Sequence, residues 1–231
     1  MQRGKPGNTA EPRAKAPTGP ERFESEIRAL EESERRRPNR PGGIVFVGSS
    51  SIKNWKTLDR DFPGLGAINR GFGGSNLPEA THFAPRIVAP LRPRQVVLYS
   101  GDNDISGGRT ARELVLDFHA FVGRVRRDGP GVPIVFLAIK PSPSRIRKWP
   151  EAREANRRIA DYCALRDGLS VVDVATPMLR PDGTPRPELY LSDQLHMTPE
   201  GYALWTRILA PHLLPAPTAK AMRTGWGGRF A

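Results

Sequence analysis

Apolar positions along the chain fall into five short runs rich in β-branched residues, separated by stretches in which they recur every three or four positions. That alternation predicts parallel βαβ units. The runs are IVFVG (44–48), AIN (67–69), QVVLYS (95–100), PIVFLAI (133–139) and LSVVDV (169–174), and helices are expected at 51–60, 78–90, 110–128, 151–166 and 199–213. The runs at 95–100 and 133–139 carry apolar residues on both faces rather than on alternate positions, so they should be central strands covered on both faces. Thr110 with Glu113 forms a capping-box signal ahead of the stripe Leu114, Phe118, Phe121, Val122 and Val125. Thr198 followed by Pro199 marks the start of the last helix, with Leu204, Ile208 and Leu209 inward. The fold class this predicts is α/β, a three-layer α/β/α sandwich on a five-stranded parallel sheet, and by analogy with flavodoxin-like folds the expected strand order is 2-1-3-4-5.

Outside that rhythm the pattern changes. Residues 1–20 offer little to bury and read as a disordered basic arm. Residues 21–40 hold a polar helix, Glu21 to Arg37, with a narrow stripe of Phe23, Ile27 and Leu30 and then the breaker PNRPGG. The α/β domain is expected over 41–216, and 217–231 reads as a flexible basic tail.

Charge adds less than its size suggests. Of the formal net +12, residues 1–40 and 217–231 each contribute +3, so half of the excess lies outside the patterned region. The remainder bunches at Arg124/Arg126/Arg127, Arg145/Arg147/Lys148 and Arg153/Arg157/Arg158, without the interleaved aromatic platforms of a single-strand binder. Solvated helix faces explain it, and no nucleic-acid partner is expected. A membrane span needs roughly 18 to 20 consecutive apolar residues, and no such run occurs. The N-terminal stretch has no apolar segment of a signal peptide either, so the chain as written is expected in the cytoplasm, with export from an alternative start left open. One cysteine, Cys163, excludes an internal disulfide framework, and with four histidines it leaves no cluster at metal-ligand spacing, so neither metal nor cofactor is expected. Cys163 reads as a small core residue and His119 as structural, and His82 and His212 are expected to have no catalytic role.

In a doubly wound sheet, chemistry belongs after the carboxyl ends of the strands. There the first run ends in VGSSS, placing Ser50 at a helix start whose amides favour developing negative charge. The second ends in NRGFGGSN, where glycines let backbone N–H groups approach a ligand. The third ends in SGDND, presenting the donor amide of Asn103, and after the fifth comes LSDQLHMTPEGY with Asp193 three residues before His196. Singly these are a helix cap, a tight turn, a turn residue and a surface pair. Together they supply a hydroxyl, an imidazole to activate it, a carboxylate to orient the imidazole, and donors for an oxyanion. No GxxxxGK[ST] loop is present and GFGGSN does not satisfy GxGxxG, which argues against a nucleotide-binding version of the architecture.

These blocks resemble those of the SGNH hydrolases, the GDSL-type esterases and lipases, across residues 44–213. Gly48-Ser49-Ser50 is similar to the first block, Asn69 to Gly74 to the second, Gly101-Asp102-Asn103-Asp104 to the third, and Asp193-x-x-His196 to the last. The resemblance implies a catalytic set of Ser50, Asp193 and His196. It implies an oxyanion hole from the Ser50 and Gly74 backbones with the Asn103 side chain, and a small-molecule ester as substrate. Ser49 departs from the family's usual Asp. VGSSSIKNW and LHMTPEGY look closest to the branch of the platelet-activating-factor acetylhydrolase catalytic subunits, which implies short acyl groups such as acetyl. An acyltransferase using the same residues, or a non-catalytic binding module on the same fold, are the alternatives. The segment KPSPSRIRKW (140–149) is expected to overhang the site, with Arg145, Arg147 and Trp149 as candidate substrate-binding residues for an anionic or sugar-like portion.

Overall fold

A computed structural model of the chain describes residues 19–216. Residues 1–18 of the expected arm and all of the expected basic tail lie outside them. In chain order the elements are α1 (Glu24–Arg36), β1 (Ile44–Gly48), α2 (Ser50–Lys53), α3 (Leu58–Asp61), β2 (Ala67–Gly71), α4 (Leu77–Ile87) and β3 (Gln95–Tyr99). They continue with α5 (Asp102–Ser106), α6 (Ala111–Asp128), β4 (Ile134–Leu137), α7 (Trp149–Ala164), β5 (Leu169–Val172) and α8 (Pro199–Leu209).

The five strands form one parallel sheet of order β2-β1-β3-β4-β5, with helices on both faces. β1, β3 and β4 are buried at every position, which is why their sequences run apolar without alternation. Successive residues feed opposite cores. Val45, Val47, Val96, Leu98, Ile134 and Phe136 pack toward α4, α6 and α7, whereas Ile44, Phe46, Val97, Tyr99, Val135 and Leu137 pack toward Trp55, Phe62 and α8. An aromatic group of Phe46, Trp55, Phe62, Tyr202 and Trp205 fills the second core at ring separations of 5.2 to 6.0 Å.

The polar first helix is part of this body. Phe23 and Ile27 are buried in the first core, each worth about 1.5–3 kcal/mol of burial. Its acidic face meets basic side chains of the domain, with Arg86 holding Glu24 and Glu31, Lys53 holding Glu26, and Arg70 holding Glu34. The capping box predicted at Thr110 and Glu113 is present at the start of α6. Among the described residues no helix is long and apolar enough to cross a membrane.

Two helical expectations are corrected. The single helix expected at 51–60 is two, α2 and α3, because Asn69 from β2 donates its amide to the carbonyls of Ile52 (2.6 Å) and Trp55 (3.3 Å) and so terminates α2. The turn after β3 is α5, and the segment expected as a loop after β4 contains a 3₁₀ turn, Pro143–Lys148, that runs into α7.

Candidate active site

Ser50, Gly74 and Asn103 follow the ends of β1, β2 and β3, while Asp193 and His196 come from the segment between β5 and α8. β1 ends at Gly48, whose φ of +141° and a would-be Cβ only 1.9 Å from the Tyr99 carbonyl exclude any other residue. The chain turns there through buried Ser49, whose N–H donates to the Tyr99 carbonyl at 3.1 Å and whose carbonyl accepts from Ile52 and Lys53. Ser49 makes no side-chain capping bond, so the position where a family Asp is usual serves here through its backbone. Ser50 opens α2, and the Tyr202 hydroxyl of α8 donates to the Ser51 carbonyl at 2.9 Å, pinning the turn.

The Asp193 turn comes to the same place. Asp193 Oδ1 accepts the backbone N–H groups of Leu195 and His196, both at 2.9 Å, while Gln194 takes a left-handed φ of +58°. Oδ2 lies 2.5 Å from His196 Nδ1, and His196 Nε2 lies 3.0 Å from Ser50 Oγ. The bond to His196 and the two backbone N–H groups hold the Asp193 carboxyl down at about 2.

On the opposite side, Gly74 has φ of +77° and open space around it. The next residue, buried Ser75, accepts the Asn103 amide on its carbonyl at 3.0 Å. A second staple joins the same loops, since the Leu77 N–H at the start of α4 donates to Asp104 Oδ1 at 2.9 Å. An amide NH₂ carries two hydrogens, so Asn103 keeps one N–H beyond the bond to Ser75.

Asp104 is buried, with Oδ2 lacking a partner. Burial pushes its carboxyl up to about 6; the nearby Asp117 charge adds to this, while the Leu77 N–H and Arg109 oppose it. Between about pH 4 and that value the folded chain keeps a proton that the unfolded chain has released, so the group's contribution to stability falls as pH rises. Asp104→Asn keeps an acceptor for Leu77 and stays neutral. In urea unfolding it is expected to gain roughly 1–3 kcal/mol over the wild type at about pH 7.5 and nothing near pH 4. A gain of the same size at both pH values would show that ionisation is not its source.

The segment after β4 reaches the site, and the three side chains nominated there for substrate binding are disposed differently from one another. Arg145 is bound to Asp102 and Asn103, drawn inward by the Asp102 carboxylate. Trp149 is half-buried and packs against the first core as the opening residue of α7, and Arg147 is exposed. Sequence reasoning missed Asp102 and Lys140. The Lys140 ammonium is buried against Asp102 (3.2 Å) and the Tyr99 hydroxyl (3.3 Å), and a lysine directly following the apolar run PIVFLAI was the available signal.

Of the basic bunches, Arg124 pairs with Asp128, Arg157 with Glu154 and Asp161, and Arg158 with Glu154. Cys163 is buried, with its thiol pushed up to about 11 by burial. His119 lies midway along α6, beside Tyr162 of α7. Among the described residues no group of three or more His, Cys, Asp or Glu side chains is placed to hold a metal ion.

The fold recurs in solved structures. A protein from Streptococcus pneumonia bearing a platelet activating factor designation superposes with a TM-score of 0.75 at 20% identity, over 83% of this chain and 92% of its own. A GDSL-like lipase from Bacteroides thetaiotaomicron gives 0.66 at 20% identity, over 84% and 96%. An acetyl-xylooligosaccharide esterase mutant from Geobacillus stearmophilus gives 0.60 at 14%, over 76% and 95%. At these identities the likeness is one of fold. No curated protein sequence matches the chain. The GDSL-like Lipase/Acylhydrolase family model, however, matches residues 45–204, from β1 well into α8, and on that match the chain belongs to this family of carboxylic ester hydrolases.

Proposed function

We propose that the chain hydrolyses short-chain acyl esters, acetyl esters foremost, through an acyl-enzyme on Ser50. The observation that carries this is the relay from Ser50 Oγ to His196 Nε2 at 3.0 Å and from His196 Nδ1 to Asp193 at 2.5 Å. Ser50 attacks the ester carbonyl as Nε2 takes its proton. Asp193 keeps the other proton on Nδ1 and stabilises the imidazolium. The backbone N–H groups of Ser50 and Gly74 and the free N–H of Asn103 receive the oxyanion. Collapse breaks the ester C–O bond, and the imidazolium protonates the departing alcohol. Water then repeats the cycle on the acyl-enzyme. The rim is open, with Gly74, Asp193 and Gln194 exposed, which supports water as the acceptor over a second alcohol.

Acetyl is supported by the named activities of proteins sharing the fold, among them the acetyl-xylooligosaccharide esterase and an acetyl esterase. With p-nitrophenyl esters, kcat/KM is expected to be highest for acetate and to fall with chain length. A pre-steady-state burst of p-nitrophenol matching the enzyme concentration is expected where deacylation limits turnover. A preference for octanoate over acetate would overturn the acetyl reading.

Asn103→Ala is expected to cost about 10²–10³ in kcat, roughly 3–4 kcal/mol, with KM little changed, because the donor acts on charge that exists only in the transition state. A rise in KM alone would make Asn103 a substrate-binding residue instead.

A further inference from the structure

A carboxamide is useful to an oxyanion only if its NH₂ end faces it, and an asparagine flips between its two orientations with almost no change of shape. Asn103 is held at both ends by groups of a single polarity. Its Nδ2 donates to the Ser75 carbonyl, which can only accept. Its Oδ1 accepts from Arg145 Nη1 at 3.0 Å, and a guanidinium can only donate. Flipped, the amide would set donor against donor and acceptor against acceptor.

Arg145 is itself fixed. The same nitrogen lies 2.8 Å from Asp102 Oδ1, so its two hydrogens serve two adjacent residues of α5. The other carboxylate oxygen takes the buried Lys140 ammonium at 3.2 Å. Burial by itself would raise the Asp102 carboxyl, but Lys140 and Arg145 outweigh it and hold it below the usual range. Two cations thus face one carboxylate. The excess positive charge lies against Asn103 Oδ1, where it polarises the carboxamide whose N–H faces the oxyanion. The backbone N–H and hydroxyl of Ser144 also donate to the Gln194 carbonyl, at 3.1 and 3.0 Å, so the segment bearing Arg145 is braced against the turn that carries His196.

We propose that Arg145 is a positioning residue for ester cleavage, orienting and polarising the Asn103 carboxamide for the oxyanion, and that it makes no contact with substrate. This rests on the reading of Asn103 as an oxyanion donor. With p-nitrophenyl acetate, Arg145→Ala is expected to lower kcat about 10- to 100-fold with KM within about twofold, since the interaction matters only in the transition state. An anionic ester should suffer the same loss. Arg145→Ala combined with Asn103→Ala should lose no more than Asn103→Ala does, because one acts through the other. Added guanidinium ion, at tens of millimolar or roughly that, should restore part of kcat to Arg145→Ala and none to Asn103→Ala. Should the alanine variant fail to fold, Arg145→Lys retains a donor-only cation on Asp102 and should show an intermediate kcat at unchanged KM.

Additive losses in the double variant, a loss confined to the anionic ester, or a raised KM at unchanged kcat would each overturn the proposal. Failure of the underlying reading looks different. If Asn103→Ala itself keeps kcat near the wild-type value, the oxyanion assignment falls and the role of Arg145 with it. If Asn103→Ala is severely impaired and Arg145→Ala is not, only the positioning role falls.

Discussion

Ser50→Ala and His196→Ala are each expected to lower kcat on a short-chain ester by about three or more orders of magnitude while the fold is retained. The hydroxyl is the atom that bonds to the acyl carbon, and Nε2 at 3.0 Å is the base found within reach of it. Neither side chain carries much of the core. Ser50 is half-buried at the start of α2, whose turn is held by backbone bonds and by Tyr202, and His196 is only partly covered. Thermal unfolding should therefore change little, which separates lost chemistry from lost structure. Because the two groups act as a unit, the double variant should be scarcely worse than either single one. Turnover by Ser50→Ala at the wild-type rate, with contaminating esterase excluded, would remove Ser50 from the mechanism.

How much of this was legible in the sequence follows the range of the interactions involved. The parallel sheet was accessible because β1, β3 and β4 are covered on both faces and are written as unbroken apolar runs, whereas the strand order came from analogy with flavodoxin-like folds. The capping box of α6 was accessible because Thr110 and Glu113 are three residues apart. Ser50, Asp193 and His196 were nominated by short motifs at strand ends, and the order of the strands brings those ends to one rim. What was hidden depends on contacts between distant segments. The break between α2 and α3 is made by Asn69, well downstream, while Ile52, Trp55 and Leu58 keep a helical spacing through it. Helix α5 is short and polar and begins at a glycine with φ of +113°, so its sequence, SGDND, reads as a turn. Arg145 looked like a free cation because its partners, Asp102 and Asn103, are more than forty residues away and become neighbours only when β3 pairs with β4. The charge was visible, but its counter-charge was not.

Asp193→Asn tests the orientation of the base, and a loss of about 10⁴ in kcat is expected, since a mis-set imidazole tautomer cannot act as the base. In the wild type, Oδ1 is occupied by two backbone N–H groups, and Oδ2 faces His196 Nδ1. Asparagine can keep the backbone bonds only by placing its carbonyl oxygen at Oδ1, which turns its NH₂ toward Nδ1. Nδ1 must then accept, the ring proton moves to Nε2, and Nε2 meets the Ser50 hydroxyl as a donor with no lone pair to take its proton. Stability should hardly move, because the carboxylate is about half exposed and an ion pair at such a site contributes little. The carboxyl is held at about 2, so acid loss of wild-type activity at milder pH does not come from neutralising Asp193. A variant within about tenfold of the wild type would mean that another acceptor sets the tautomer, and the role given to Asp193 would not stand.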